Sequence, residues 1–420
     1  MNNSPFRRLS RRHFMSAAGS AGVGAFGVPP IFQHALAASD VNLDAAGQAA
    51  MDREGPILVV VELTGGNDGL NTVVPYGDDA YYNARPRIGI PAGDVRTIDD
   101  HFGFHPSCKG LAELYDRGEL AIVHGCGYDQ PSFSHFISMS YWHSAAPNSG
   151  ESSGWVGRAA ANLSPTPRRD YIINVDERPS QAVRNPVHPA LVFDQPETFR
   201  RDGVYEQQPL FDELVGDPGA SESNLSFLSR SARDARQSAM LVREAWDAYR
   251  SDVDYGINVG LAQDLRKIVA LIDARMPARF YYCGYRGNSF DTHVHQVDVH
   301  ARLLAYATDA IRGFVDDVER IGRADDVLML VFTEFGRRVP ENISLGTDHG
   351  TATPVFLAGA PVAGGQYGEP PSLTELDDGN LLHTTDFRRV YASAVGNWMG
   401  ADPRAVLGGD FEPIPAVASA

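Results

Sequence analysis

The stretch from Asp326 to Gly359 limits the fold more than any other part of the chain. Val327–Phe332 is an uninterrupted apolar run, with no polar position that could face water. Such a run predicts a strand covered on both faces, as in a parallel sheet. It stops abruptly at Thr333-Glu334-Phe335-Gly336-Arg337, and Thr347-Asp348-His349-Gly350 follows before a second short strand over residues 354–358. In open α/β sheets, ligands bind beyond the carboxyl ends of the strands. The segment is therefore expected to bring a carboxylate and an Asp-His pair to one sheet edge, and metal binding is the function that fits such a set.

Further strands are expected over residues 56–63, 120–124, 171–175 and 279–283, with helices after 107, from 132, over 222–250 and 259–274, and from the last residues of the chain's histidine cluster onward. One α/β domain over residues 56–420 follows, with insertions around 176–275, because no low-complexity linker divides the middle. The helix after residue 296 carries a stripe of Leu303, Ala307, Ile311, Phe314, Val318 and Ile321, which at helical spacing is core.

The first 37 residues stand apart. Arg7, Arg8, Arg11 and Arg12 precede a small, mildly apolar run, and Ala35-Leu36-Ala37 offers a small-x-small cleavage site. This is the pattern of a signal peptide, and Ser10-Arg11-Arg12-His13-Phe14-Met15 resembles the twin-arginine export motif. Residues 38–55 read as a flexible lead-in, and the mature chain is expected in the periplasm or outside the cell. Removal of the leader leaves 32 basic against 53 acidic residues, a formal charge of −21. Such a surface repels nucleic acid and anionic membranes, and no remaining stretch is apolar enough to span a bilayer. Cys108, Cys126 and Cys283 match no zinc-knuckle spacing. A Cys108–Cys126 disulfide is one reading, and packing is the preferred one.

Several polar residues fall just beyond expected strands. Asp68 lies in Thr64-Gly65-Gly66-Asn67-Asp68-Gly69, where it is either a site carboxylate or the stabiliser of its own turn. Ser132 and Ser134 open a helix, where the local dipole suits a nucleophile or a bound oxyanion, although serine is also a preferred cap. Asp291 and His295, four residues apart at an expected helix start, would share one helix face. His293 and His300 enlarge that cluster.

Taken together, the segments at 65–76, 104–128, 134–142, 291–296, 332–338, 346–359 and 384–392 resemble DUF1501, a family of exported bacterial proteins of unknown function. That family in turn looks like a member of the alkaline phosphatase and sulfatase superfamily. The resemblance implies an alkaline-phosphatase-like α/β fold with a mostly parallel sheet flanked by helices on both faces. It also implies hydrolysis of phosphate or sulfate esters with one or two divalent metals. Carried over, the metal ligands are Asp68, Asp291, His295, Glu334, Asp348 and His349, in two alternative registers. Ser134 is the first choice of nucleophile and Ser132 the second. Arg337 would balance charge on a bound oxyanion.

Zinc suits the imidazoles, while manganese or calcium suits the carboxylates. In the preferred register, Phe335 stands where the superfamily has a metal-binding histidine, which weakens one of two metal sites; in the other, Asp348-His349 is itself the Asp-His pair and His383 the later histidine. No Cys-x-Pro-x-Arg sulfatase signature is present. The expectation is a metal-dependent ester hydrolase acting on a small anionic substrate. The alternative is an exported, non-catalytic protein with a degenerate hydrolase fold that binds a partner protein or surface material.

Overall fold

The apolar runs assemble into one nine-stranded sheet. In the computed structural model, residues 55–199 and 224–418 are described. The expected leader, residues 38–54 of the lead-in and part of the expected insertion lie outside them. Strands β1 (Ile57–Leu63), β2 (Leu120–Gly127), β3 (Ile172–Val175), β4 (Leu191–Phe193), β5 (Phe280–Tyr285), β6 (Val327–Phe332), β7 (Thr353–Ala358) and β8 (Gly365–Tyr367) lie in the order β8-β2-β7-β6-β1-β5-β3-β4. The ninth strand, β9 (Thr385–Asp386), pairs with β2. From β6 to β4 every pairing is parallel.

The expected 354–358 strand is present as β7, which lies beside β6 and runs antiparallel to both β6 and β2. The connection from β6 to β7 contains no helix, so no crossover carries the chain over the sheet, and it returns alongside its neighbour.

Both faces of the sheet are covered, which is why β1 and β6 contain no surface position. Val59, Val61, Met329 and Val331 enter one core. Leu58, Val60, Leu328 and Leu330 enter the other. The strand period of two divides each run between the faces. Helices α1 (Lys109–Asp116), α4 (Asn224–Ala248), α5 (Leu261–Asp273) and α6 (Gln296–Arg320) cover the first face. Helices α2 (His135–Ser144), α3 (Trp155–Leu163) and α7 (Arg388–Ala392) cover the second, through Trp142, Trp155 and Tyr391. The expected α6 stripe is core along its length, with Leu303 and Ile321 packed partly buried at its margins.

Within the expected insertion, Leu191–Phe193 forms the edge strand β4. Helix α7 continues into a π-helical turn, Ser393–Trp398, and a further short helix, Pro403–Leu407, follows. One local expectation changes. Helix α6 begins at Gln296, so Asp291 and His295 do not share a helix face; His295 is its N-cap, in the left-handed conformation at φ 46°. Cys108, Cys126 and Cys283 are buried free thiols.

Helix α1 packs on α6 through Gly110, where an added Cβ would lie 2.0 Å from the Thr308 carbonyl oxygen. Backbone cannot give way as a side chain can. Gly110→Ala is expected to lower the unfolding free energy by about 1–3 kcal/mol. An unchanged urea midpoint would contradict this close approach.

Candidate metal centre at the carboxyl edge of the sheet

Strands β2, β6, β1 and β5 end at the same edge, and each is followed by a polar loop. After β1, Gly65 (φ 114°) lies so close to the Asn288–Asp291 turn that a Cβ would fall 2.6 Å from the Asp291 nitrogen. This contact presses the first loop against the one that carries Asp291. After β6, segments 336–338 and 348–351 pair through Gly336 N–H to Thr351, Arg338 N–H to Asp348 and Gly350 N–H to Gly336. That small ladder, with Arg337 opposite His349, fixes the second of the two imidazoles in the centre. After β2, helix α2 starts at His135, which supplies the first.

His135, Asp291 and His349 meet with their ligand atoms within 4.8 Å of one another. His135 Nε2 lies 3.3 Å from Asp291 Oδ2, and His349 Nε2 lies 3.1 Å from Asp291 Oδ1. His293 joins them, its Nε2 2.9 Å from His349 Nε2 and 3.1 Å from Asp291 Oδ1. The other nitrogen of each ring is held by an oxygen. His135 Nδ1 is 2.8 Å from the Glu334 carboxylate, His349 Nδ1 is 2.7 Å from the Phe133 carbonyl, and His293 Nδ1 is 3.4 Å from Asp348. A carbonyl or carboxylate oxygen accepts only. For His135 the proton is therefore assigned to Nδ1, leaving Nε2 with its lone pair; His349 has an acceptor at each ring nitrogen, the Phe133 carbonyl at Nδ1 and Asp291 Oδ1 at Nε2. His135 Nε2 is buried and makes no hydrogen bond.

Charges follow these contacts. The hydrogen bond to Glu334 raises the pKa of His135 above that of ordinary histidine, despite burial. Burial lowers that of His349. Burial alone would raise Asp291, but Arg337, His349 and His293 outweigh it and hold the carboxyl below the usual range.

The residues named from the sequence divide among several places. Asp291 and His349 are in the cluster. Glu334 stands behind it, accepting two contacts from the Gly65 N–H at 2.9 and 3.1 Å as well as the His135 proton. Asp348 is exposed, and its side chain contacts His293 and Asn342. Asp68 lies elsewhere, fully buried in an ion pair with Arg85 at 2.7 Å, and it caps its own turn through the Asn71 N–H. His295 is exposed and outside the cluster, because the backbone turns at φ 46° before α6 begins.

Arg337 differs most from expectation. Its guanidinium is buried and donates to the carbonyls of Gly66, Thr347, Gly65 and Phe290 and to Asp291. It ties three loops together beneath the site, with its guanidinium engaged on backbone carbonyls and on Asp291. Ser134 is the N-cap of α2 without a capping side-chain bond, so its hydroxyl is not engaged there. Ser132 Oγ accepts from the Ser134 N–H at 3.3 Å. Phe335 backs both imidazoles, with ring centroids 4.9 Å from His135 and 4.6 Å from His349. It presses on Gly66, whose Cβ would lie 2.3 Å from the Phe335 ring.

His135 is the member the sequence reading passed over, and His293 was seen only as a neighbour. The available signal was a histidine at the first position of a helix that follows a buried strand.

A small cavity of about 60 Å³, lined in part by Leu70, His101, Phe102, His124, Pro354 and Pro370, contains none of these residues. The cluster instead opens at the surface, with the Asp291 side chain 29% and the His293 side chain 38% exposed.

These features define an α/β protein with a mostly parallel sheet and a His–Asp cluster at its carboxyl edge. The chain belongs to the family described as "Protein of unknown function (DUF1501)", which it matches over residues 56–408. No curated protein sequence matches it. Solved structures similar to it include the C-terminal periplasmic domain of EcEptC from Escherichia coli in complex with Zn. That pair has 10% identity, covers 84% of this chain and 86% of that one, and has a TM-score of 0.38. A protein in the alkaline phosphatase superfamily from Vibrio parahaemolyticus has 11% identity, with 91% and 78% covered and a TM-score of 0.37. The PsFucS1 sulfatase from Pseudoalteromonas sp. has 11% identity, with 86% and 72% covered and a TM-score of 0.34. No residue role is carried from them to this chain. Among the described residues, no helix is long and apolar enough to cross a membrane.

Proposed function

We propose that this chain is an exported hydrolase of phosphate or sulfate esters that works with one divalent cation held by His135, Asp291, His349 and His293. The observation that carries this reading is His135 Nε2, buried, without a hydrogen bond and 3.3 Å from a carboxylate oxygen. Lone pairs that face one another repel unless positive charge sits among them. The residues fit a metal ion, because each imidazole is oriented through its other nitrogen by an oxygen, as metal-binding histidines are. A nitrogen-rich set favours zinc; manganese is compatible, and calcium, which takes oxygen ligands, fits less well.

Such a cation supplies polarisation of an ester oxygen and a lowered pKa for the attacking hydroxyl or water. The chain's own groups do the rest. Ser134 offers an uncapped hydroxyl at the start of a ten-residue helix, whose free N–H groups favour a developing oxyanion. Glu334 holds the proton on His135 Nδ1 and so keeps Nε2 available. Phe335 fills the space behind the rings with carbon, which supports a single cation and not a pair. Asp348 acts through His293, and export follows from the twin-arginine pattern of the leader.

One observation favours a non-catalytic protein that binds a cation and an exported partner: Arg337 is engaged on carbonyls and on Asp291, and cannot grip a substrate anion. Elemental analysis of protein purified without a histidine tag or chelator, with a screen of phosphate and sulfate esters, separates the two. The hydrolase reading expects one cation per chain and turnover that stops on chelation. One cation without turnover of either ester class supports the second reading, and metal-free folded protein removes both.

A further inference from the structure

We infer that the ester taken by this site carries an apolar body, an alkyl or aryl group, which lies across a rim of exposed hydrophobic side chains around the His–Asp cluster. The inference rests on the hydrolase reading above. Phe136 is 85% and Ile343 91% exposed, and Phe133, Ile137 and Val294 are exposed with them. Single exposed apolar residues are ordinary, but a concentration of them at one place marks a binding surface.

These residues lie on the same segments as the cluster. Phe133, Phe136 and Ile137 bracket His135 at the start of α2, and the Phe133 carbonyl is the group that orients His349. Val294 follows His293 directly. Ile343 lies between Asn342, which donates to the His293 carbonyl and to Asp348, and Ser344, whose carbonyl accepts the His295 N–H. The segments that bring the imidazoles together thus carry the exposed apolar side chains as well.

Two further observations select the occupant. Arg337 is buried beneath the site, so a substrate anion gains no guanidinium contact, and binding beyond the cation must come from elsewhere. The chain is also strongly acidic, with a formal charge of −17, which opposes docking on an anionic bilayer. A monomeric ester with one anionic end and one apolar end matches both the centre and its rim.

The test uses the purified, cation-loaded protein and a series of n-alkyl sulfates from methyl to octyl, kept below their micelle concentrations, with binding followed by calorimetry. Affinity is expected to rise by roughly three- to fourfold per methylene, the value of a buried CH₂. The Phe136→Ser/Ile343→Ser variant, altered only at the surface, is expected to flatten that slope while its circular dichroism and cation content match wild type. Affinity independent of chain length, or the same slope in the variant, would overturn the inference. So would wild-type dimers that the variant abolishes, which would assign the rim to a second copy of the chain. Binding to phosphatidylcholine vesicles without any alkyl-length dependence would assign it to a lipid surface and likewise overturn it. The hydrolase reading fails separately, on a cation content of zero, whatever the alkyl slope.

Discussion

On the proposed function, His135→Ala is expected to bind a divalent cation at least about a hundredfold more weakly than wild type, and to lose ester hydrolysis with it. Glu334→Gln is expected to lose only about 10- to 100-fold, the usual effect of removing a partner that orients a metal-binding histidine. The difference follows from position. His135 Nε2 is itself a donor atom of the cluster, whereas Glu334 contacts the same ring from behind, at 2.8 Å. His135→Ala leaves the buried Glu334 carboxylate with its contacts from the Gly65 N–H still in place. Asp291→Ala is less clean, because it would leave the buried Arg337 guanidinium without its carboxylate. Competition of each variant against a zinc chelator of known affinity measures both effects. Wild-type affinity in His135→Ala would show that the cluster is not a cation site.

Asp68→Asn is expected to lower the unfolding free energy by about 3–5 kcal/mol and to leave cation content unchanged. Asp68 and Arg85 form an ion pair at 2.7 Å with both side chains fully buried. Arg85 also donates to Asn71 and to the carbonyls of Val339 and Arg338, so it cannot move to water when its partner loses its charge. The pair has a pH signature. Burial pushes the Asp68 carboxyl up, but Arg85 and His300, with the Gln296 amide, outweigh it and hold it below the ordinary value. A carboxyl depressed in the folded state contributes stability above its unfolded pKa, and that contribution is lost as pH falls through the folded one. Wild type is therefore expected to lose stability in acid more steeply than Asp68→Asn. Loss of the cation with little loss of stability would instead make Asp68 a ligand.

The strands were legible because their physics is local. A run such as Val327–Phe332 can be satisfied only by burial on both sides, and it lies where it was expected. The stripe on α6 was legible for the same reason, at a different period. The orientation of β7 was not legible, since a strand's pattern is the same in either direction and only the helix-free connection decides it. Asp291 and His349 could be singled out as polar residues beyond strand ends. The spacing of Asp291 and His295 misled because a helix was assumed where the chain makes a left-handed turn, with α6 starting one residue later. Arg337 was identified as cationic and near the site, but charge alone cannot tell a guanidinium that clamps carbonyls from one that meets a ligand.

By itself the sequence determined the central buried strands and the longer helices, though not the short strands β4, β8 and β9, and that several polar loops follow them, because burial pattern and turn chemistry are written within a few residues. Which of those polar side chains meet was decided only by the tertiary structure. His135 and Glu334 are 199 residues apart, and Asp291 and His349 are 58 apart. They come together because β2, β6, β1 and β5 end on one edge in an order that no single segment encodes. The same order carried Asp68, which follows one of those strands, past the edge and into the buried pair with Arg85.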